Sequence, residues 1–167
     1  VRSGVRSRSK RAFEYQPPSV ANAVTRYQAA ASFPISWTVP ITWTGTAAGS
    51  YDLQYRDGPA GAWTDWITST TALSSTFSGG QDGHTYYFRA RATTVTGAVG
   101  DWSEPVSTTV DLTPPTGSLS AQGWASNLQP MTVALAITAS DATSGLSQMQ
   151  FSADGQTYSD WEDYATS

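Results

Sequence analysis

Six tryptophan and arginine side chains of this sequence have the chemistry needed for mutual stacking. An arginine guanidinium packs favourably over an aromatic ring through cation–π attraction, and this contact needs no ligand. A flat tryptophan face can also stack on a sugar ring, so the same side chains could form an interaction surface instead. We expect an internal ladder on the outer face of a sheet. Its predicted members are Trp63, Trp66, Trp102, Arg56, Arg89 and Arg91.

Residue types that carry catalysis or bind metals are scarce. The sequence has one histidine and no cysteine, which excludes a zinc site built from those ligands. The histidine, His84, follows Gly83 at the start of a predicted strand, so we assign it a structural role rather than that of a general base. Asp141 is the one candidate ligand for a calcium ion, and closing its own turn is the preferred role. We therefore predict no catalytic residue, no cofactor and no enzyme.

Charge is distributed unevenly along the chain, whose net charge is −4. Five of the nine basic residues fall within the first eleven positions, and all thirteen acids follow them. An acidic body is a poor candidate for nucleic-acid binding. Residues 1–16 are interpreted as a basic, flexible tail or linker, because runs of like charge are usually solvated. The five basic residues are Arg2, Arg6, Arg8, Lys10 and Arg11.

The composition favours an extracellular protein. Charged residues make up only 13% of the chain, and Lys10 is the one lysine. Polar surfaces rich in hydroxyl groups are common on secreted β-proteins, and the lack of cysteine is ordinary for a bacterial or archaeal surface protein. No stretch reaches the roughly 18 apolar residues of a candidate membrane-spanning helix. We predict a location outside the cell or at its surface, with no transmembrane segment.

One sequence pattern occurs twice. In the first copy, residues 53–58 read Leu-Gln-Tyr-Arg-Asp-Gly and lead into Trp-Thr-Asp-Trp at 63–66. In the second copy, residues 149–155 read Met-Gln-Phe-Ser-Ala-Asp-Gly and lead into Tyr-Ser-Asp-Trp at 158–161. Each copy is typical of an alternating strand, an Asp-Gly turn and a short strand. The repetition predicts tandem modules.

Seven strands are predicted in the first module, which covers residues 17–112. Turn signals separate short strand-like segments about every 8–12 residues, and this spacing favours an all-β sandwich. The predicted strands are 20–28, 35–43, 51–56, 63–67, 71–77, 84–94 and 104–110. Alternation along the sixth strand directs Tyr86, Phe88, Ala90 and Ala92 inward and Tyr87, Arg89 and Arg91 outward.

A second module is predicted after a short linker at residues 113–115. Two consecutive prolines end this linker and make it semi-rigid. The second module covers residues 116–167, with strands expected at 131–139 and 148–152. Far fewer residues follow the second copy of the repeat than follow the first, so we expect an incomplete sandwich.

Four motifs of the first module share the order and spacing of a known family. They are Trp43, Tyr51-x-Leu53-x-Tyr55, Gly83-His84-Thr85-Tyr86-x-Phe88-Arg89-x-Arg91 and Trp102-Ser103-Glu104-Pro105. The module resembles a fibronectin type III domain of the bacterial cell-surface type. This resemblance implies a β-sandwich in which Trp43 lies in the core. It also implies that the Tyr86 hydroxyl bonds to the backbone of the preceding turn.

The second module carries a different resemblance. Residues 139–146 read Ala-Ser-Asp-Ala-Thr-Ser-Gly-Leu and precede the second copy of the repeat. With that copy, they resemble the start of a bacterial immunoglobulin-like domain. The resemblance implies tandem fibronectin III and immunoglobulin-like sandwiches, the second of them incomplete.

These features predict a non-enzymatic structural or adhesive module of a prokaryotic surface protein. Its expected partners are other copies of itself or further domains of the same protein. In one variant the protein is a filament subunit, completed by strand exchange between chains. The segment predicted to donate that strand contains Val20, Val24 and Tyr27.

A second class of function stays open from the sequence. The tryptophans could bind polysaccharide, which would make the chain an accessory domain of a secreted hydrolase. Retention on a glycan would favour this alternative, and the internal ladder would oppose it because stacked rings have no free face.

Overall fold

The computed structural model describes residues 25–38, 47–122 and 134–165. The chain divides into two compact units, Val1–Val110 and Asp111–Ser167. All regular elements of the described residues are β-strands, as predicted for an all-β protein. This part of the chain contains no helix that is long and apolar enough to cross a membrane.

The first unit is a sandwich of two sheets. Five strands form one sheet in the order β1-β7-β6-β3-β4, and β2 pairs with β5 in the other. The β1–β7 pair is parallel, and the other pairs are antiparallel. The strands are β1 (Tyr27–Gln28), β2 (Phe33–Ser36), β3 (Ala48–Asp57), β4 (Thr64–Thr70), β5 (Ser74–Phe77), β6 (Thr85–Thr94) and β7 (Val106–Val110).

The inner faces of the two sheets form an aromatic core. Alternation along β6 buries Tyr86, Phe88, Ala90 and Ala92, as the period-two pattern predicts. Phe77 of β5 packs edge-on against Phe88, with ring centroids 5.1 Å apart. Burying one such ring contributes about 1.5–3 kcal/mol, so these contacts hold the sheets together.

Trp37 is a tryptophan that the structure places in the core. Phe33, Ile35 and Trp37 are buried while the residues between them are exposed, so β2 begins two residues before the predicted strand. The Trp37 ring centroid lies 6.5 Å from that of Tyr51. Its backbone N–H donates to the carbonyl of Leu73. Trp43, which was predicted to lie in the core, falls outside the described residues.

Tyr86 ties the turn before β6 to the sandwich. Its hydroxyl donates to the carbonyl of Gly79 and accepts the N–H of Gln81, both at 3.1 Å. This is the arrangement that the family resemblance implies. Burial raises the pKa of the Tyr86 hydroxyl. Gly83 completes the turn with a φ of +75°, a conformation that favours glycine.

The second unit has strands without a buried core. Two antiparallel pairs form it: β8 (Thr116–Gln122) with β9 (Ala134–Ser140), and β10 (Gln148–Met149) with β11 (Glu162–Asp163). No side chain described in this unit is buried, and Leu119 is 59% exposed. β9 and β10 overlap the two predicted strands, whereas β8 and β11 lie outside them. The described strands do not make a closed immunoglobulin-like sandwich.

Candidate functional site

Aromatic rings and guanidinium groups alternate across the outer face of the five-stranded sheet. Each arginine carbon Cζ lies between 4.0 and 4.9 Å from the centroid of each ring next to it. The tightest contact joins Arg89 to Trp63 at 4.0 Å. We call this stack the ladder. Its members, in order, are Tyr87, Arg56, Trp63, Arg89, Trp102 and Arg91.

The register of β3 against β6 sets the spacing of the ladder. Arg56 lies opposite Tyr87, and Arg89 lies two residues further along β6 than Tyr87. Outward positions two residues apart are separated by about 6.8 Å along a strand. That distance leaves room for one aromatic ring between two guanidinium groups. Trp63 therefore fits between Arg56 and Arg89.

Hydrogen bonds fix the central arginine beneath its rings. Arg89 donates to Gln54 Oε1 from Nε at 2.9 Å and from Nη2 at 2.6 Å. Gln54 Nε2 donates in turn to Asp65 Oδ1 at 2.7 Å. The planar guanidinium thus stacks on rings with its faces and donates with its edge.

The outer arginine is held by an ion pair. Arg91 Nε donates to Asp52 Oδ2 at 3.0 Å, and Asp52 Oδ1 accepts the backbone N–H of Ser69 at 2.9 Å. Arg56 has a different environment, because its buried Nε has no hydrogen-bond partner in the described structure. Stacking on Trp63 and Tyr87 is what holds Arg56 in place.

The ladder concentrates positive charge. Burial lowers the pKa of Arg89, and the neighbouring charges of Arg56 and Arg91 lower it further. Arginine nevertheless stays protonated at any physiological pH. The aromatic rings between the three guanidinium groups offset their repulsion, since each ring presents a negative face.

Ser103 anchors Trp102 beside β6. Its backbone N–H donates to the carbonyl of Ala90 at 2.8 Å, and its Oγ accepts the N–H of Ala90 at 3.1 Å. Ser103 is 7% exposed, so these two bonds are shielded from water. The two hydrogen bonds of Ser103 therefore fix the backbone next to Trp102, whose ring lies over Arg89 and Arg91.

Trp66 does not belong to the ladder, contrary to the prediction. Its ring packs against Phe77 and Phe88 of the core, with centroids 5.6 and 5.7 Å away. The register of β3 against β4 shifts by one residue at this point, from Gln54 opposite Asp65 to Leu53 opposite Ile67. Asp65 faces outward opposite Gln54, so the next residue, Trp66, faces the core by alternation, and the bulge keeps Ile67 on the core face as well.

Tyr87 is the ladder member that the prediction left out. Strand alternation had already directed it outward beside Arg89, so the signal was present in the sequence. Its position opposite Arg56 depends on the pairing of β3 with β6.

Tyr27 does not lie in a free donor strand. It pairs with Thr109 in the parallel β1–β7 strand pair of its own unit. The N–H of Thr109 donates to the carbonyl of Arg26 at 3.0 Å, and Thr108 Oγ1 donates to that of Thr25 at 2.7 Å. The strand is therefore already used within its own sheet. Val20 and Val24 lie outside the described residues.

The two remaining candidate residues have turn contacts. His84 Nδ1 and Asp57 Oδ2 are 2.7 Å apart, and both side chains are substantially exposed. Asp141 Oδ1 accepts the N–H groups of Thr143, Ser144 and Gly145 at 2.8–3.1 Å. Burial alone would raise the pKa of Asp141, but these hydrogen bonds outweigh it and lower the pKa. Within the described residues, no three His, Cys, Asp or Glu side chains are grouped to hold a metal ion.

Comparison with known proteins gives structural matches to fibronectin type III modules. No family model and no curated protein matches the sequence. The twitchin kinase region from C. elegans is 21% identical, with a TM-score of 0.44, and the match covers 60% of this chain and 17% of that one.

Two single human modules also match. The sixth fibronectin type III domain of fibronectin type III domain containing protein 3 is 26% identical, with a TM-score of 0.46, covering 65% of this chain and 96% of that one. Titin module A71 from human cardiac muscle is 28% identical, with a TM-score of 0.40, covering 59% and 88%. The first unit is a β-sandwich by its own strand order and aromatic core.

Proposed function

We propose that the protein is a non-enzymatic, extracellular structural or adhesive module of a prokaryotic surface protein. The observation that carries this proposal is the ladder, whose aromatic and cationic groups contact one another. A surface group with internal partners stabilises the sheet that bears it. Such a sheet suits a module that spaces or displays its neighbours.

The ladder also opposes the alternative of polysaccharide binding at the same residues. Trp63 and Trp102 each carry two guanidinium groups within 4.7 Å of the ring centroid. A sugar ring would have to displace an arginine before it could stack there. Among the described tryptophans, Trp161 offers the more open face, because it is 61% exposed.

The terminal strands of the first unit are arranged to resist tension. β1 and β7 run parallel, so a force that pulls the chain before β1 and after β7 drives the two strands in opposite directions. Their hydrogen bonds, including Thr109 N–H to Arg26 O, are then loaded together in shear. This geometry supports a spacer role. Strand exchange through the segment containing Tyr27 does not fit this geometry, since β1 is paired within its own sheet.

The composition supports the proposed location. One lysine, no cysteine and few charged residues are typical of prokaryotic surface proteins with polar, hydroxyl-rich exteriors. The expected partners are further domains of the same protein or other copies of it.

Immunoelectron microscopy of the source cells tests the proposal. Antibodies against residues 47–110 should label the outside of intact cells, and label should persist after mild washing. Labelling that requires permeabilised cells would contradict the extracellular location. A glycan panel tests the alternative, since retention of the wild-type chain that Trp161→Ala abolishes would favour polysaccharide binding.

A further inference from the structure

The two copies of the repeat adopt the same strand register. In the first copy the pairing passes from Tyr55 opposite Thr64 to Leu53 opposite Ile67, with one extra residue on β4. In the second copy Ser159 N–H donates to the carbonyl of Phe151, and Met149 lies opposite Glu162, again with one extra residue on the later strand. The equivalent positions are Gln54 and Gln150, Arg56 and Ser152, Trp63 and Tyr158, Asp65 and Asp160, and Trp66 and Trp161.

In the first copy, three of these positions, Gln54, Trp63 and Asp65, form a binding site for an arginine of the neighbouring strand. Arg89 of β6 donates twice to Gln54 Oε1 and stacks 4.0 Å from the centroid of Trp63. Asp65 holds Gln54 in place by accepting its Nε2 hydrogen. An amide acceptor, a ring and a carboxylate therefore form the receiving side of an arginine contact.

The second copy keeps these three groups but has no arginine of its own. We call Gln150, Tyr158 and Asp160 the acceptor trio. Residues 111–167 contain no Lys or Arg, and Ser152 stands where the first copy has Arg56. This stretch carries six acids, so it is complementary in charge to a cationic strand. They are Asp111, Asp141, Asp154, Asp160, Glu162 and Asp163.

In the described structure, no strand occupies the edge of β10 where an arginine-bearing strand would pair. β3 is flanked by β4 on one side and by β6 on the other. Its equivalent, β10, pairs with β11, and no described strand occupies its second edge. Tyr158 is 55% exposed and Trp161 is 61% exposed, whereas their equivalents in the first unit are half-buried.

We propose that the acceptor trio and the edge of β10 that no described strand occupies are a docking site for an arginine-bearing β-strand of a polypeptide. The strand adds antiparallel to β10, as β6 adds to β3. Its outward positions carry arginine, which stacks on Tyr158 and donates to Gln150. Its inward positions carry apolar side chains that cover Trp161. Main-chain hydrogen bonds give such an added strand its affinity, and the side chains give it specificity. This site would exist whether or not the protein lies on a cell surface.

The test uses the whole 167-residue chain and a synthetic peptide. The peptide has the sequence of residues 84–94, in which arginine alternates with apolar residues as the proposal requires. Nuclear magnetic resonance should show saturable shifts of the Gln150 side-chain amide and the Trp161 indole N–H. A peptide carrying Arg89→Ser and Arg91→Ser should bind at least about tenfold more weakly, because cation–π and charge-assisted contacts are lost.

Two glutamine variants provide matched controls in the protein. Gln150→Leu should weaken binding of the arginine peptide, whereas Gln156→Leu, in the adjacent turn, should leave it unchanged. Equal binding of both peptides would overturn the proposal, since the surface would then be simply apolar. The absence of any shift at high peptide concentration would also overturn it. Resonance shifts that depend on protein concentration in the absence of peptide would also overturn the proposal, because the surface would then bind a second copy of the chain.

Discussion

Trp66 packs against Phe77 and Phe88, whereas Trp161, its equivalent in the second copy of the repeat, is 61% exposed. The strand register around these two tryptophans is the same, including the one-residue bulge. The local sequence therefore determines the turn, the register and the direction of each side chain. Whether a ring becomes core or surface depends on the strands that cover it.

The outer faces of the two copies differ for the same reason. β6 supplies Arg89 and Arg91 to the first copy, and these arginines complete the ladder over Trp63 and Trp102. The second copy retains the receiving groups without an arginine. In the first copy, the repeat supplies the groups that receive the arginine and β6 supplies the arginine itself.

The largest contrast between the units should appear when a core ring is removed. Phe88 is fully buried and contacts Phe33, Phe77 and Trp66. Phe88→Ala should lower the free energy of unfolding of the first unit by about 3–5 kcal/mol, because it leaves a cavity. Urea denaturation followed by tryptophan fluorescence measures this loss. The control Leu119→Ala, at a 59% exposed position of the second unit, should change the free energy of unfolding of that unit by less than about 0.5 kcal/mol. Equal effects would show that the second unit also has a core.

The two equivalent tryptophans give a direct comparison of covered and uncovered copies. Trp66→Ala should cost about 2–3 kcal/mol, less than for a fully buried tryptophan, because the ring is half-buried against two phenylalanines. Trp161→Ala should cost less than about 0.5 kcal/mol. The measurement is the midpoint of urea unfolding at unchanged slope. A large loss for Trp161→Ala would mean that its ring is covered in solution, which would contradict the exposed surface.

The sequence predicted the faces of β6 because alternation needs only residues of one strand. Phe88 and Ala90 point inward and Arg89 points outward, as period two requires. The same alternation puts Trp63 and Trp66 on opposite faces, since they are three residues apart, so the sequence held the signal that the prediction of Trp66 in the ladder missed. What the pattern of β4 alone does not contain is the bulge, which places the consecutive residues Trp66 and Ile67 both against the core.

The start of β2 shows a second limit of reading single segments. Two tryptophans, Trp37 and Trp43, follow β-branched residues in the same part of the sequence. Phe33 and Ile35 share the buried face with Trp37, and this alternation identifies the strand. Pro34 obscured the pattern, because proline is unusual inside a strand. It lies at an exposed position of β2, paired opposite Thr76.

A conservative change at Arg89 separates the contribution of positive charge to the ladder from that of the planar guanidinium group. Arg89→Lys keeps the charge but loses the planar group that stacks on Trp63 and Trp102 and donates twice to Gln54. The free energy of unfolding should fall by about 1–2 kcal/mol. Thermal unfolding measured by circular dichroism checks this. Arg26→Lys, at an exposed position over a single ring, is the control and should have little effect. An unchanged Arg89→Lys protein would mean that the ladder adds no stability.

The smallest expected effect lies in the turn of the second copy, which closes without help from another strand. Asp154 Oδ1 accepts the N–H groups of Thr157 and Gln156 and the hydroxyl of Ser152. The hydrogen bonds from Thr157, Gln156 and Ser152 lower the pKa of Asp154 to about 2. An aspartate in an unfolded chain titrates near 3.9. The folded pKa is depressed, so the turn's stabilisation is fully present above about pH 4.

That stabilisation should be lost as the pH falls from about 4 through about 2, where Asp154 takes up its proton in the folded chain. Resonances of the Thr157 and Gln156 amides should follow this titration in nuclear magnetic resonance spectra. In Asp154→Asn they should not move over the same range, because an amide does not titrate there. A midpoint near 4 would show that the turn is open in solution. The second copy would then need an added strand even to form its hairpin, and the local sequence would encode less than the shared register indicates.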